Sequence, residues 1–330
     1  MSSGAGCYNK FFSHVYVEKR ALEYQDTSAI LGRIPYAEVI YIDHYKDVFN
    51  RSRQDAVIQK RAPALILAVN TGELVYKGAP VCQSFGQKEF YYTASSMNCP
   101  FDCEYCFLKG MYSTSNVVCF VNTGDYEEEI RRLRDPYVCV SYDTDLIGLN
   151  SLTGQADRWV EFASANPEIL IEMRTKAAPA KLTPLPNLIY AFTLSPDEIA
   201  SRFEKNVPPL RARLKAVENA IRDGCIVRLC FDPMIYVEGW KDIYTDLVDQ
   251  VADRIELGMV KDISVGTFRI SSEYLKKMRK QMPHSEVCWF PFTNAGGYAS
   301  YPEELDNEMM DHMCSVIGKY VDAGRIFTWR

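Results

Sequence analysis

The sequence predicts an α/β protein built around a partial (β/α)6-type barrel, with an N-terminal α/β extension. Three observations predict it. From about residue 85 onward, short apolar runs alternate with amphipathic stretches, the pattern of parallel βα units. Five or six such units follow one another without the reversal that a doubly wound sheet needs. A cysteine-rich loop, NCPFDCEYCFLKG at 98–110, follows the first strand of the series. That places it at the C-terminal strand ends, where barrels of this kind carry chemistry.

The elements justify themselves in order. HVYVEKRAL (14–22) and EVIYIDH (38–44) are strand-like, and APALILAVN (62–70) reads as a third, buried strand of the N-terminal segment. Phe90 to Thr93 is β-prone and leads into the cysteine loop. VVCFVN (117–122) reads as a strand, followed by the acidic helix start GDYEEEIRRL. YVCVS (137–141), EILIEMRTK (168–176) and NLIYAFTLS (187–195) read as further strands. Leu210, Leu214, Val217 and Ile221 mark an amphipathic helix closed by Gly224, and CIVRLCFDP follows as a buried strand. Ile243, Leu247, Val251 and Ile255 mark another helix, ending at Gly258, before the strand DISVGTF. The tail, CWFPFTNAGGYASYP, is rich in aromatics and turns and leads to a terminal helix. The expected organisation is one compact unit with three parts. Residues 1–85 pack on the barrel, 86–285 form it, and 286–330 give a hairpin and helix.

Composition sets limits. With 330 residues, 47% hydrophobic and 24% charged, the chain has ample material for a large core. No apolar run reaches the length of a membrane span, and MSSGAGCYNKFF lacks a secretory signal, so the expected compartment is the cytoplasm, with no membrane partner. The net charge of −6 argues against coating nucleic acid through bulk charge. Local basic runs remain: Arg51, Arg53, Lys60 and Arg61; Arg211, Arg213 and Lys215; Lys276, Lys277, Arg279 and Lys280. Each also reads as a solvated helix face. Of the eleven cysteines, Cys7, Cys82, Cys119, Cys225, Cys230 and Cys314 read as small buried hydrophobes.

Cys99, Cys103 and Cys106 are different. A structural zinc site needs four ligands, and none of the four histidines, His14, His44, His284 and His312, flanks the loop. A redox pair would use Cys103 and Cys106 and leave Cys99 over. A four-iron cluster held by three thiolates keeps one iron open for another ligand. The spacing Cys-x₃-Cys-x₂-Cys followed by aromatic and apolar residues resembles the signature loop of the radical S-adenosylmethionine (SAM) enzymes. That resemblance implies a [4Fe–4S] cluster on Cys99, Cys103 and Cys106, with SAM chelating the open iron.

VYVEKRALEY, CEYCFLKG, YDTDLIGLNSLTG (142–154), FTLSPD…RFE (192–204), PMIYVEGW (233–240) and FRISSEYLKKMRKQMP (268–283) together resemble the spore photoproduct lyase family. The likeness runs from about residue 14 to residue 302. It implies a radical SAM lyase, a carbon–carbon lyase of the DNA-repair type. Such an enzyme reverses the 5-thyminyl-5,6-dihydrothymine lesion, which must leave the base stack to reach the site. The implied partners are damaged DNA and a one-electron reductant such as flavodoxin or ferredoxin, and the expected state is a monomer. By the same resemblance Lys176 pairs with the SAM carboxylate, Ser195 and Thr144 contact SAM, and Tyr105 belongs to a hydrogen-atom relay. Tyr236, Glu238 and Trp240 are candidates for the cavity mouth.

Three departures stand out. The position of the family's hydrogen-donating cysteine, aligned on DLIG, is Tyr142. Cys139 lies three residues earlier, an odd offset that predicts the opposite face of the strand. The second relay tyrosine is here Phe107, which has no phenolic hydrogen. The tail hairpin carries no arginine or lysine. So either Tyr142 replaces the donor, or another thiol such as Cys288 or Cys230 does, or a lyase-like enzyme here acts on a different substrate.

Overall fold

The computed structural model describes residues 12–78 and 83–329, so the readings of Cys7 and Cys82 lie outside it. Backbone contacts divide the chain into two units. The first comprises Met1–Pro100 and Met111–Thr175, the second Phe101–Gly110 and Lys176–Arg330.

In the first unit, Leu65–Ala68 is buried at every position and runs parallel to His14–Glu18 on one side and Val117–Phe120 on the other. Glu38–Ile42 extends the sheet beyond His14–Glu18, and Ser96–Met97 closes its other end antiparallel to Val117–Phe120. A continuous apolar run such as LILA suits a central parallel strand, which needs cover on both faces. Val15, Val17, Leu65, Leu67, Val117 and Cys119 fill one core with Ile30, Leu149 and Leu152. VVCFVN therefore belongs to the N-terminal sheet, not to the barrel series in which its sequence position had placed it. Its apolar pattern says that both faces are buried, but not against which neighbours.

The same unit holds a second strand set. Phe90–Thr93 lies between Val75–Lys77, antiparallel, and Tyr137–Cys139, parallel. Leu170–Thr175 pairs in parallel with Tyr137–Cys139. After Tyr137–Cys139 the chain enters the helix Leu146–Thr153, whose first turn is capped by Asp145 accepting from the Gly148 amide at 2.7 Å. Gly154 ends that helix with φ +71°, a left-handed turn that a side chain would resist.

In the second unit, Leu188–Thr193, Ile226–Met234, Asp262–Thr267 and Ile326–Trp329 are parallel neighbours in that order. Helix Leu210–Arg222 presents Leu210, Leu214 and Val217 to the core, and Gly224 follows at φ +85°. Helix Trp240–Ala252 stops before the predicted end. Ile255, on the same spacing, closes one last turn through its amide to Val251 at 2.8 Å. Thr293–Ala295 and Tyr298–Ser300 form a hairpin through Gly296 and Gly297, both at positive φ, and Arg269–Ser271 adds a third strand. Helix Glu303–Ile317 is the terminal helix, but a last strand, Ile326–Trp329, follows it, a short element the sequence reading missed. The mixed α/β class with parallel sheets is as the sequence predicts. Among the described residues no helix is long and apolar enough to cross a membrane.

Candidate active site

The second unit gathers three sequence-predicted residues on one carboxylate that no role had been assigned to. Cys103 sits in a two-residue strand, Asp102–Cys103, paired antiparallel with Glu204–Lys205 so that Cys103 lies opposite Glu204. Lys176 follows the strand Leu170–Thr175, and Ser195 follows the strand Leu188–Thr193. Lys176 Nζ donates to Glu204 Oε1 at 2.6 Å, and Ser195 Oγ donates to the same oxygen at 2.7 Å. The Tyr105 hydroxyl also donates to Oε1 and accepts from Lys176 Nζ, while the ammonium lies 4.6 Å from the Tyr105 ring centroid. On the other side, Arg213 Nη2 donates to Glu204 Oε2 at 2.9 Å and Arg213 Nη1 to the Thr193 carbonyl at 3.1 Å.

The electrostatics follow from burial. Glu204 has no exposed side-chain surface, and desolvation works against its charge. Lys176 and Arg213 outweigh that and hold its carboxyl down at about 2. Burial pushes the Cys103 thiol up to about 12, with Lys176 opposing. Tyr105, fully buried, is driven well above its ordinary range, first by desolvation and then by the Glu204 charge. The network holds two cations, Lys176 and Arg213, against one carboxylate, Glu204. These three groups carry one more positive than negative charge, which a ligand carboxylate or a thiolate would offset.

Glu204 and Arg213 are the residues that sequence reasoning missed. Glu204 stands inside the RFE stretch, and Arg213 lies three residues after Leu210, on the buried side of an amphipathic helix. A fully buried arginine needs a carboxylate partner, but the sequence does not name it.

Of the other expected ligands, Cys99 and Cys106 are half-buried and free of disulfides, as is buried Cys103. The Cys99 carbonyl accepts from Lys60 Nζ at 2.8 Å, which takes Lys60 out of the basic surface run. Among the described residues no three His, Cys, Asp or Glu side chains are gathered to hold a metal ion. A cubane asks for a different arrangement, since its three thiolates bond to three separate irons and stand farther apart than the ligands of one ion. The donor set fits that group: three thiols outside any disulfide, carried by one short loop, with the excess positive charge of the network beside Cys103.

In the first unit, Thr144 is buried and its Oγ1 has no hydrogen-bond partner, an orphan that a bound ligand would satisfy. Its neighbour Asp143 accepts from the Tyr112 hydroxyl at 2.8 Å through one oxygen and leaves the other orphaned. Burial pushes the Asp143 carboxyl up to about 6. Tyr142 is half-buried and packs on Tyr92 at 4.4 Å between ring centroids, and Tyr92 stacks on Tyr76 at 5.1 Å. The strand ends at Cys139, so alternation no longer applies by residue 142. Cys139 is opposite Tyr92 in register, buried, with its thiol raised to about 12 by burial. Cys230 and Cys288 are buried as well.

The candidates for a cavity mouth separate. Glu238 is exposed, Tyr236 packs edge-on against Phe290, and Trp240 is buried against His312, a core contact. Phe107 is half-buried.

Comparison with known proteins gives a consistent result. The sequence pattern described as spore photoproduct lyase matches residues 12–287. No curated protein matches the chain in sequence. Among solved structures, a spore photoproduct lyase complexed with dinucleoside spore photoproduct is similar at a TM-score of 0.80, with 16% identity over 97% of this chain and 98% of that one. A substituted spore photoproduct lyase with bound AdoMet and dinucleoside spore photoproduct is similar at 0.79, with 16% identity and the same coverage. At that identity the structures speak for the fold, and the sequence pattern speaks for the family. The chain belongs to the spore photoproduct lyase family, a family of radical SAM lyases.

Proposed function

We propose that this protein reverses the 5-thyminyl-5,6-dihydrothymine lesion of DNA as a radical SAM lyase. The observation that carries the reading is the convergence of Lys176, Ser195 and Tyr105 on Glu204 beside Cys103. When bound, a [4Fe–4S] cluster and SAM supply a 5′-deoxyadenosyl radical that takes a hydrogen from the dihydrothymine ring. The chain's own residues do the rest. The thiolates of Cys99, Cys103 and Cys106 hold the cluster. The Lys176 ammonium, kept charged and aimed by Glu204, pairs with the SAM carboxylate. Ser195 and the orphaned Thr144 hydroxyl hydrogen-bond SAM. Tyr105, gripped between Lys176 and Glu204, stands between two of the ligating thiols in sequence. The Tyr142 O–H would return a hydrogen atom to the thymine radical once the methylene bridge has broken, and the phenoxyl radical so formed would take a hydrogen atom back from 5′-deoxyadenosine as SAM is re-formed. A one-electron reductant such as flavodoxin or ferredoxin starts the cycle, and the working state is a cytoplasmic monomer.

A second reading keeps the radical machinery and changes the substrate. Tyr142 favours it, because it holds the place of the donor thiol and is packed on Tyr92.

The test is an anaerobic turnover with reconstituted enzyme, SAM, reductant and dinucleoside spore photoproduct. Restored thymidylyl-thymidine is expected. SAM cleaved to 5′-deoxyadenosine with the lesion untouched would reject this substrate and favour the second reading. In a parallel sample Cys103→Ala is expected to lose the cluster, and normal iron content would sink the ligand assignment.

A further inference from the structure

One surface of the second unit is not used by this chemistry. Helix Ser272–Gln281 buries Leu275 and Met278 and turns Glu273, Lys276, Lys277 and Lys280 outward. The Glu273 carboxylate pairs with Lys277 at 3.4 Å, while Lys276 and Lys280, four apart on one stripe, have no ion pair among the described residues. On the flank of that stripe Arg279 donates to the Cys288 carbonyl at 2.7 Å and lies 5.2 Å from the ring centroid of Trp289. Trp289 is 55% exposed, a large indole face held flat by a cation and left open to solvent.

The surface is anchored to the cysteine loop. A Cβ on Gly110, just past Cys106, would come within 2.4 to 2.7 Å of Tyr274, so the helix backbone lies directly on the loop's end. At the helix start, the Ser272 amide donates to the Gly297 carbonyl at 2.9 Å, which fixes the hairpin turn there. The helix is about 15 Å long, ten residues at 1.5 Å each, and Lys276 and Lys280 stand about 6 Å apart along it.

We propose that this face binds the DNA strand flanking the lesion, with Lys276 and Lys280 on backbone phosphates and the Trp289–Arg279 pair stacking on an unpaired base. This rests on the lyase reading and names its DNA-contact surface. The chemistry fits a polyanion with π-faced bases. Two unpaired cations supply charge complementarity despite the −6 of the whole chain, and an exposed tryptophan under an arginine is a stacking platform. The hairpin itself has no arginine or lysine and brings no cation to a phosphate.

The experiment measures binding of a fluorescent oligonucleotide carrying the lesion, single-stranded and duplex, to the reconstituted full chain between about 50 and 200 mM salt. Lys276→Ala with Lys280→Ala is expected to lower the slope of log K against log salt by about two. Trp289→Ala is expected to weaken single-strand binding by about tenfold and to abolish the quenching of tryptophan emission on binding. Turnover of the dinucleoside, which has no flanking strand, is expected to stay at the wild-type rate in all variants. Unchanged slope and affinity in the variants, or no DNA binding by the wild type, overturns the surface. Loss of lesion turnover by the wild type, with DNA binding intact and dependent on Lys276 and Lys280, instead overturns the lyase reading and leaves the surface standing.

Discussion

Glu204 shows how one buried carboxylate gathers the candidate site residues. Its two oxygens take four donors, three of them expected site residues. Removing it leaves Lys176 and Arg213 buried without a counter-charge, which costs about 3–5 kcal/mol in comparable pairs. Glu204→Ala is thus expected to lower the denaturant midpoint sharply, and Glu204→Gln, which keeps the hydrogen-bonding shape, to lower it less. Equal midpoints would show that the charge is unimportant. Lys176→Ala is expected to weaken SAM binding while iron content stays normal, and unchanged SAM affinity would refute its role. Tyr142→Phe removes one oxygen and keeps the packing on Tyr92. SAM cleavage is expected to continue while product partitioning changes. Unaltered products would mark Tyr142 as packing only.

At the scale of elements, the site depends on short pieces being brought close. The two-residue pairing of Asp102–Cys103 with Glu204–Lys205 sets the loop against the network. Gly110 lets helix Ser272–Gln281 sit on the loop's end. Gly110→Ala would put a methyl group against the backbone of Tyr274, and overpacking of this kind costs about 1–3 kcal/mol. A drop in the thermal midpoint is expected. An unchanged midpoint would mean that the helix shifts freely. The basic run Lys276 to Lys280 was legible as a charged helix face. Its pairing with Trp289 was not, because the indole comes from the following short helix, Glu286–Trp289.

For the whole molecule, Asp143 links stability to pH. Its folded pKa, about 6 against an ordinary 3.8, means that the folded protein binds more protons than the unfolded chain between those values. Its contribution is therefore fully present below about pH 4 and is lost as pH rises through 6. Tyr112 is its hydrogen-bond partner, and the neighbouring Tyr76 feels its charge. Asp143→Asn is expected to be more stable than the wild type at pH 8, by roughly 2–3 kcal/mol at 1.36 per pKa unit, with the difference vanishing near pH 4. Parallel stability curves for the two proteins would contradict this.

The sequence by itself determined the α/β class, the strands and amphipathic helices of the second unit from Leu188 to Thr267, the cysteine loop and the family. These rest on local patterns: apolar spacing along a strand or helix, and ligand spacing along eight residues. Tyr105, Lys176 and Ser195, the candidates that meet at Glu204, stood out because each lies in or beside a recognisable stretch. The tertiary structure alone decided that VVCFVN joins the N-terminal sheet, that a final strand Ile326–Trp329 follows the last helix, and that Trp240 is core. It also decided that Glu204, paired with Arg213, is the carboxylate on which those candidates meet. Those outcomes depend on partners distant in sequence. Tyr105 and Glu204 stand 99 positions apart, and nothing in the periodicity of either segment encodes the other.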